Sequence, residues 1–151
     1  VSFTSSTVIV ATLTLPTDGT YFIRIENSDG NAVRSNTALL TVSDNPVWTT
    51  GSGSLGTIAG GFSGTVATVA ASGESVTFSE VTSVLTNASQ ANCSLNSSTG
   101  VITTTDFGGT STSATTYNFT LRATDAQGQT ADRAFSLTSV FDIANSGRFD
   151  T

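Results

Sequence analysis

Apolar residues recur at every second position along much of this chain, as in Val8-Ile9-Val10-Ala11-Thr12-Leu13, Tyr21-Phe22-Ile23-Arg24-Ile25 and Tyr117-Asn118-Phe119-Thr120-Leu121-Arg122-Ala123. That spacing is the period of a β-strand with one wet face. No segment carries an apolar stripe at helical spacing, and Thr, Val and Ser dominate where helix formers would be needed, so almost no helix is expected. Between the runs lie turn signals: Pro16-Thr17-Asp18-Gly19, Asn27-Ser28-Asp29-Gly30-Asn31, Ala71-Ser72-Gly73-Glu74, Ser98-Thr99-Gly100 and Asp125-Ala126-Gln127-Gly128-Gln129. Short strands punctuated in this way predict an all-β sandwich.

The pattern also predicts where the chain divides. At Ser43-Asp44-Asn45-Pro46 a strand-like run (38–42) meets a polar turn and a Pro that cannot donate to a ladder. Beyond it, residues 45–141 hold runs for seven strands: near Leu55, then 64–70, 75–79, 93–95, 101–104, 115–125 and 130–140. Residues 1–44 offer only about three strands, fewer than a self-sufficient core requires. The earlier strands of this first unit are therefore expected to have been cut off, to lie in further sequence, or to come from a neighbour. The strand edge at Val8–Leu13 carries no charge or Pro to blunt it and is expected to be covered by missing sequence or another subunit. Residues 142–151 lose the alternation and read as a C-terminal extension, disordered or docked on a partner.

Composition narrows the functions. The 151 residues are about one third Ser and Thr, and only 11% are charged, against about 25% in a typical domain, so the surface is rich in hydroxyls. The net charge is -6, and all five cations are Arg (Arg24, Arg34, Arg122, Arg133, Arg148). Without a basic face, nucleic acid is not an expected partner. The chain has no His and one Cys, so the usual zinc, Cys-His and Ser-His-Asp arrangements cannot be assembled from it. No catalytic, cofactor-binding or metal residue is assigned, and no enzyme is expected. Cys93 reads as a small buried hydrophobe, with a reactive thiol as the alternative. The absence of Met, even at position 1, suggests processing or a segment of something longer. No apolar run of about eighteen residues occurs, so no membrane insertion is expected.

Several residues are candidates for binding. Asp29, Asp44, Asp125 and Asp132 could hold calcium near a junction, or simply accept from backbone N–H groups in turns. Sequons at Asn87, Asn92, Asn96 and Asn118 would be acceptors in a glycosylating pathway. Trp48 could stack on a sugar or plug the end of its own sandwich. Arg122 can pair across strands with Asp132, as an alternative to Arg133. Gly51-Ser52-Gly53-Ser54 and Gly60-Gly61-Phe62-Ser63-Gly64 lack the Lys and helix of a phosphate loop and read as flexible connections.

The segments Pro46-Val47-Trp48-Thr49-Thr50, Gly53-Ser54-Leu55-Gly56-Thr57, Leu95–Thr103 and Tyr117–Phe135 together resemble the immunoglobulin-like, cadherin-like domain family. Phe3–Thr7 and Gly19–Gly30 resemble the closing half of an IPT/TIG-type immunoglobulin domain. The resemblance implies an immunoglobulin-like β-sandwich at 45–141, preceded by a partial second unit of that type at 1–44. Family members carry Pro-Xaa-Gly-Leu-Xaa-Leu where this chain has Asn87–Leu95, so the loop before that strand is expected to differ. The tandem, with its Trp-Thr-Thr opening and its Ala131–Phe135 ending, is similar to repeats in structural proteins of marine cyanophages and related tailed phages. That likeness implies a virion structural protein, a capsid decoration or a fibre component, at the virion surface or otherwise extracellular. Implied partners are other virion proteins or copies of itself, with host-surface polysaccharide as a further one. The alternative is a bacterial cell-surface adhesin, or an accessory carbohydrate-binding module of a larger extracellular protein.

Overall fold

A computed structural model describes residues 2–5, 8–15, 17–26, 28–35, 37, 40–108 and 113–140. The chain falls into two compact units, Val1–Asp44 and Asn45–Thr151. The expected C-terminal extension at 142–151 lies outside the described residues.

Unit 1 contains β1 (Ser2–Ser5), β2 (Val8–Val10), β3 (Gly19–Tyr21), β4 (Arg24–Glu26), β5 (Ala32–Arg34) and β6 (Leu40–Val42). They form three antiparallel pairs, β1 with β2, β3 with β6 and β4 with β5. The run 21–25, expected as one strand, is split between two partners. Ile23 interrupts it: its N–H donates to the Ser35 hydroxyl and its C=O accepts from the Ser35 N–H, so the ladder changes partner there. One side of β2, at the edge expected to need cover, is paired with this chain's own β1. No described side chain of unit 1 is buried, and Val8, Ile9, Val10, Ile25 and Val33 are 42–74% exposed. Where the sequence pattern gave about three strands, the described residues form six short ones in three separate pairs.

Unit 2 contains β7 (Val47–Trp48), β8 (Gly53–Ala59), β9 (Gly64–Thr68), β10 (Ala71–Ser72), β11 (Thr77–Glu80), β12 (Cys93–Leu95), β13 (Val101–Thr104), β14 (Thr115–Thr124) and β15 (Thr130–Val140). One sheet has the order β11-β14-β15-β8 and the other β12-β13-β9, while β7 pairs with β10. No helix occurs among the described residues. Each of the seven expected runs contains a strand. The expected turn at 71–74 instead begins with β10, because Ala71 and Ser72 pair with Trp48 and Val47.

Alternation in the sequence becomes the core. In β14, Tyr117, Phe119, Leu121 and Ala123 are buried, and in β15 so are Phe135 and Leu137, with Phe119 opposite Phe135 and Tyr117 opposite Leu137. They meet Ile102, Cys93 and Val69 from the other layer in one apolar cluster. Each fully buried large side chain contributes about 1.5–3 kcal/mol. The entering strand switches sheets: β7 lies against β10, whereas β8 runs parallel to β15, with Gly53 opposite Phe135 and Thr57 opposite Thr138.

Candidate functional site

The outward face of the four-stranded sheet follows directly from the alternation that buries Tyr117, Phe119 and Leu121. Thr116, Asn118, Thr120 and Arg122 of β14 project to the opposite side, beside Thr138, Ser136, Ala134 and Asp132 of β15. The hydroxyls of Thr116 and Thr138 are 3.1 Å apart across the pair. Arg122 donates to both carboxylate oxygens of Asp132, at 2.7 and 2.8 Å. That hydrogen bond holds Asp132 below the ordinary carboxylate value and raises Arg122 above its own. Arg133 instead donates to the Thr50 carbonyl at 2.7 Å, tying the entering chain to β15.

Where the first half of β14 passes the segment 84–92, the surface opens into a groove of roughly 750 Å3. Its polar lining includes Ser89, Gln90, Asp106, Thr116 and Asn118, and Val84 and Ala88 add an apolar strip. The wall is stiff. The Glu80 carboxylate, at the end of β11, accepts from the N–H groups of Val84, Leu85 and Thr86 at 2.6, 2.7 and 2.9 Å, and from the hydroxyls of Thr82 and Thr86. Burial works against its charge, but the donors of Leu85, Thr86 and Val84 outweigh that and lower its pKa. Asn92, at a φ of 55°, donates through its side-chain amide to the Asp106 carbonyl, while the Thr104 hydroxyl donates to the Asn92 carbonyl.

The calcium candidates are dispersed into local work. Asp29 accepts from the backbone and side chain of Asn31, which lowers its pKa. Asp125, buried, accepts from the N–H groups of Gln127 and Gln129 in the β14–β15 turn. Asp132 is held by Arg122, and the N–H of Asp44 reaches Asp18 at 3.5 Å. Among the described residues, no group of three or more His, Cys, Asp or Glu is placed to hold a metal ion.

Of the sequon asparagines, Asn87 and Asn96 use their side-chain oxygens in turns, accepting from Ser89 and from Ser98 and Thr99, and Asn92 has its amide engaged. Asn118 stands exposed in the groove. Trp48 is in the core, donating from Nε1 to the Ala131 carbonyl at 2.9 Å, with Phe78 and Phe135 about its ring at 5.5 and 5.3 Å. Its faces are covered, so it offers no platform for a sugar. Burial pushes the Cys93 thiol up to about 11, assisted by the negative Glu80 and opposed by a hydrogen bond with Thr104. That thiol is a packing group. The glycine segments are ordered: Gly53 and Ser54 pair with β15, and the N–H groups of Gly60 and Gly61 bond the carbonyls of Val140 and Phe107.

Glu80, Gln90 and Asp106 are the site residues that sequence reading missed. Glu80 had a signal, as a lone carboxylate directly after the strand run 75–79 and shortly before the polar Thr82-Ser83. Gln90 and Asp106 had none, because only the folding of 84–92 against β14 brings them together.

The strand order and the groove can be set against known proteins. No family model matches the sequence, and no curated protein does. Solved structures do match in shape. PcdhgB3 EC1-4 aligns over 83% of this chain and 40% of its own, at 15% identity and a TM-score of 0.54. Human CDH23 EC21-23 aligns over 72% of this chain and 38% of its own, at 21% identity and a TM-score of 0.52. A protocadherin gammaB7 EC3-6 cis-dimer structure aligns over 74% and 29%, at 18% identity and a TM-score of 0.51. The fold is a cadherin-like, immunoglobulin-type β-sandwich. The chain spans two fifths or less of each of those longer chains. No helix among the described residues is long and apolar enough to cross a membrane.

Proposed function

We propose that the chain is a non-catalytic, extracellular adhesion-type module of a larger protein, presenting the outer sheet face and groove of unit 2 to a partner. The observation that carries this reading is the cadherin-like sandwich whose charged and nucleophilic candidates, Cys93, Asp125, Asp132 and Glu80, are all spent on packing or local hydrogen bonds. A nucleophile beside a base is the minimum for covalent catalysis, and none of these provides it. One partner of this module is a second copy of the chain, in keeping with the shape it shares with a protocadherin that was solved as a cis-dimer.

Beads coated with the full chain test the reading. Aggregation of coated beads, or their retention on a cell or polysaccharide surface, is expected; beads that remain dispersed and bind no surface would refute it.

The organisation we infer is an IPT/TIG-like closing half at 1–44, a cadherin-like domain at 45–141 and an extension at 142–151. A place on a virion is the narrower version of the same reading. It rests on the resemblance of Trp48-Thr49-Thr50 and Ala131–Phe135 to phage structural repeats, and is tested by mass spectrometry of purified particles. A bacterial cell-surface adhesin, or an accessory carbohydrate-binding module, fits the cadherin-like fold more directly.

A further inference from the structure

We propose that the groove between 84–92 and the first half of β14 binds a neutral, polyhydroxylated ligand, a short uncharged oligosaccharide. This deepens the adhesion reading, on which it rests, by naming a site and a ligand chemistry.

The argument starts from unspent hydrogen-bonding groups. The carboxylate of Asp106, the side-chain amides of Gln90 and Asn118 and the hydroxyl of Ser89 all line the groove, and none has a partner among the described residues. A carboxylate only accepts, whereas each amide both donates and accepts. A ligand dense in hydroxyls can answer both kinds at once, since every hydroxyl is donor and acceptor together. Charge then selects among such ligands. No Arg lines the groove, so a phosphate, sulfate or uronate would meet only the negative Asp106. An apolar ligand is disfavoured too, because it would strip water from these groups without replacing their bonds. The strip formed by Val84 and Ala88 supplies a surface for the C–H face of a sugar ring.

Size and rigidity agree. Roughly 750 Å3 lies within the range of about 300–1,000 Å3 typical of small-molecule sites. The wall is already ordered by the five bonds to Glu80 and by the Asn92 amide on the Asp106 carbonyl, so little conformational freedom remains to be lost on binding. The left-handed backbone of Ser83 and Asn92, both non-glycine, is the kind of strain that concentrates at ligand clamps.

The test is a titration of the 15N-labelled full chain with maltohexaose, cellohexaose, laminarihexaose, xylohexaose and mannohexaose, followed by NMR. At least one saccharide is expected to shift the side-chain amide signals of Gln90 and Asn118 together with backbone signals of 88–92. Asp106→Asn combined with Asn118→Ala is expected to weaken that binding at least about tenfold with the melting temperature unchanged. Shifts that avoid the groove, binding undiminished in the double variant, or no shift with any of the five would overturn the proposal. The bead experiment separates the two readings: dispersed, non-adherent beads sink the adhesion function, while adherent beads with a silent groove sink only this site.

Discussion

Gly100 closes the exposed turn between β12 and β13, and replacing it with Ala gives a sharp test of how the two layers are joined. Its backbone has a φ of 68°, which costs an L-residue about 1–2 kcal/mol. Its carbonyl accepts from the N–H of Val69 at 3.0 Å, and its own N–H reaches the Asn96 carbonyl at 2.9 Å, so the turn cannot drift without breaking bonds. A Cβ added here would overlap the Val69 carbonyl oxygen, and would lie 3.1 Å from the Val69 carbonyl carbon and 3.2 Å from the Phe78 ring. Backbone on one side and a core aromatic on the other leave little room to yield. Overpacking of this kind adds about 1–3 kcal/mol, for a total of roughly 3 kcal/mol or more. Gly128 is the internal control: its φ is 84°, yet an added Cβ would meet nothing within 4 Å. Gly128→Ala pays the left-handed strain alone, about 1–2 kcal/mol. Both changes alter the unfolded chain alike, so the difference reports the steric term. Thermal unfolding followed by the fluorescence of Trp48, the chain's single Trp and a core residue, reads unit 2. At about 4 °C or more per kcal/mol for a domain of this size, the steric term of about 1–3 kcal/mol is expected to make Gly100→Ala melt at least about 4 °C below Gly128→Ala. Equal losses from the two substitutions would refute the packing described between β9, β11 and this turn.

Three further outcomes follow from the same physics. Glu80→Gln is expected to destabilise unit 2 by roughly 2 kcal/mol, a figure trimmed for solvent screening of a half-exposed group; because the folded pKa lies below the ordinary 4.5, this contribution is complete above that value and disappears as pH falls through the folded one, so acid titration should erase the difference between Glu80 and Gln. Phe119→Ala removes a buried ring that lies 6.3 Å from Phe135 and should cost about 3–5 kcal/mol by chemical denaturation, far more than Thr116→Ala on the outer face. The Cys93 thiol, raised to about 11 by burial, should resist a thiol-reactive disulfide reagent at neutral pH and react at once in denaturant; rapid labelling of the folded chain would contradict its placement in the core.

Much of the fold was written in local pattern. In β14 apolar and polar residues alternate without a break from Tyr117 to Ala123, and a period of two leaves little freedom about which side chains turn inward; β15 keeps that period less cleanly, since Ser139 is buried and Ala134 is exposed. A cross-strand pair of Arg122 was legible too, because the two longest runs flank the short turn 125–129, but the choice between Asp132 and Arg133 was settled only by the register that sets Arg122 opposite Asp132. The split of the run 21–25 between β3 and β4 was not, since its apolar pattern continues through Ile23 and only the competing bonds of Ser35 interrupt it. Nor could the sequence tell β10 from a turn, because two residues of strand exist there only by pairing with β7.

By itself, then, the amino-acid order determined the all-β class, the inward set of aromatic and aliphatic residues, and the poverty of chemical groups, each a property of spacing or composition. Tertiary structure alone decided which lone side chains became neighbours. Trp48 was taken into the core by Phe78 and Phe135, the acidic residues were drawn into separate turns and an ion pair, and Gln90, Asp106 and Asn118 were gathered from three distant segments around one groove. Hydrophobic burial is non-directional and follows pattern, whereas a site needs specific distances between groups far apart in the chain, and those appear only when the sheets close.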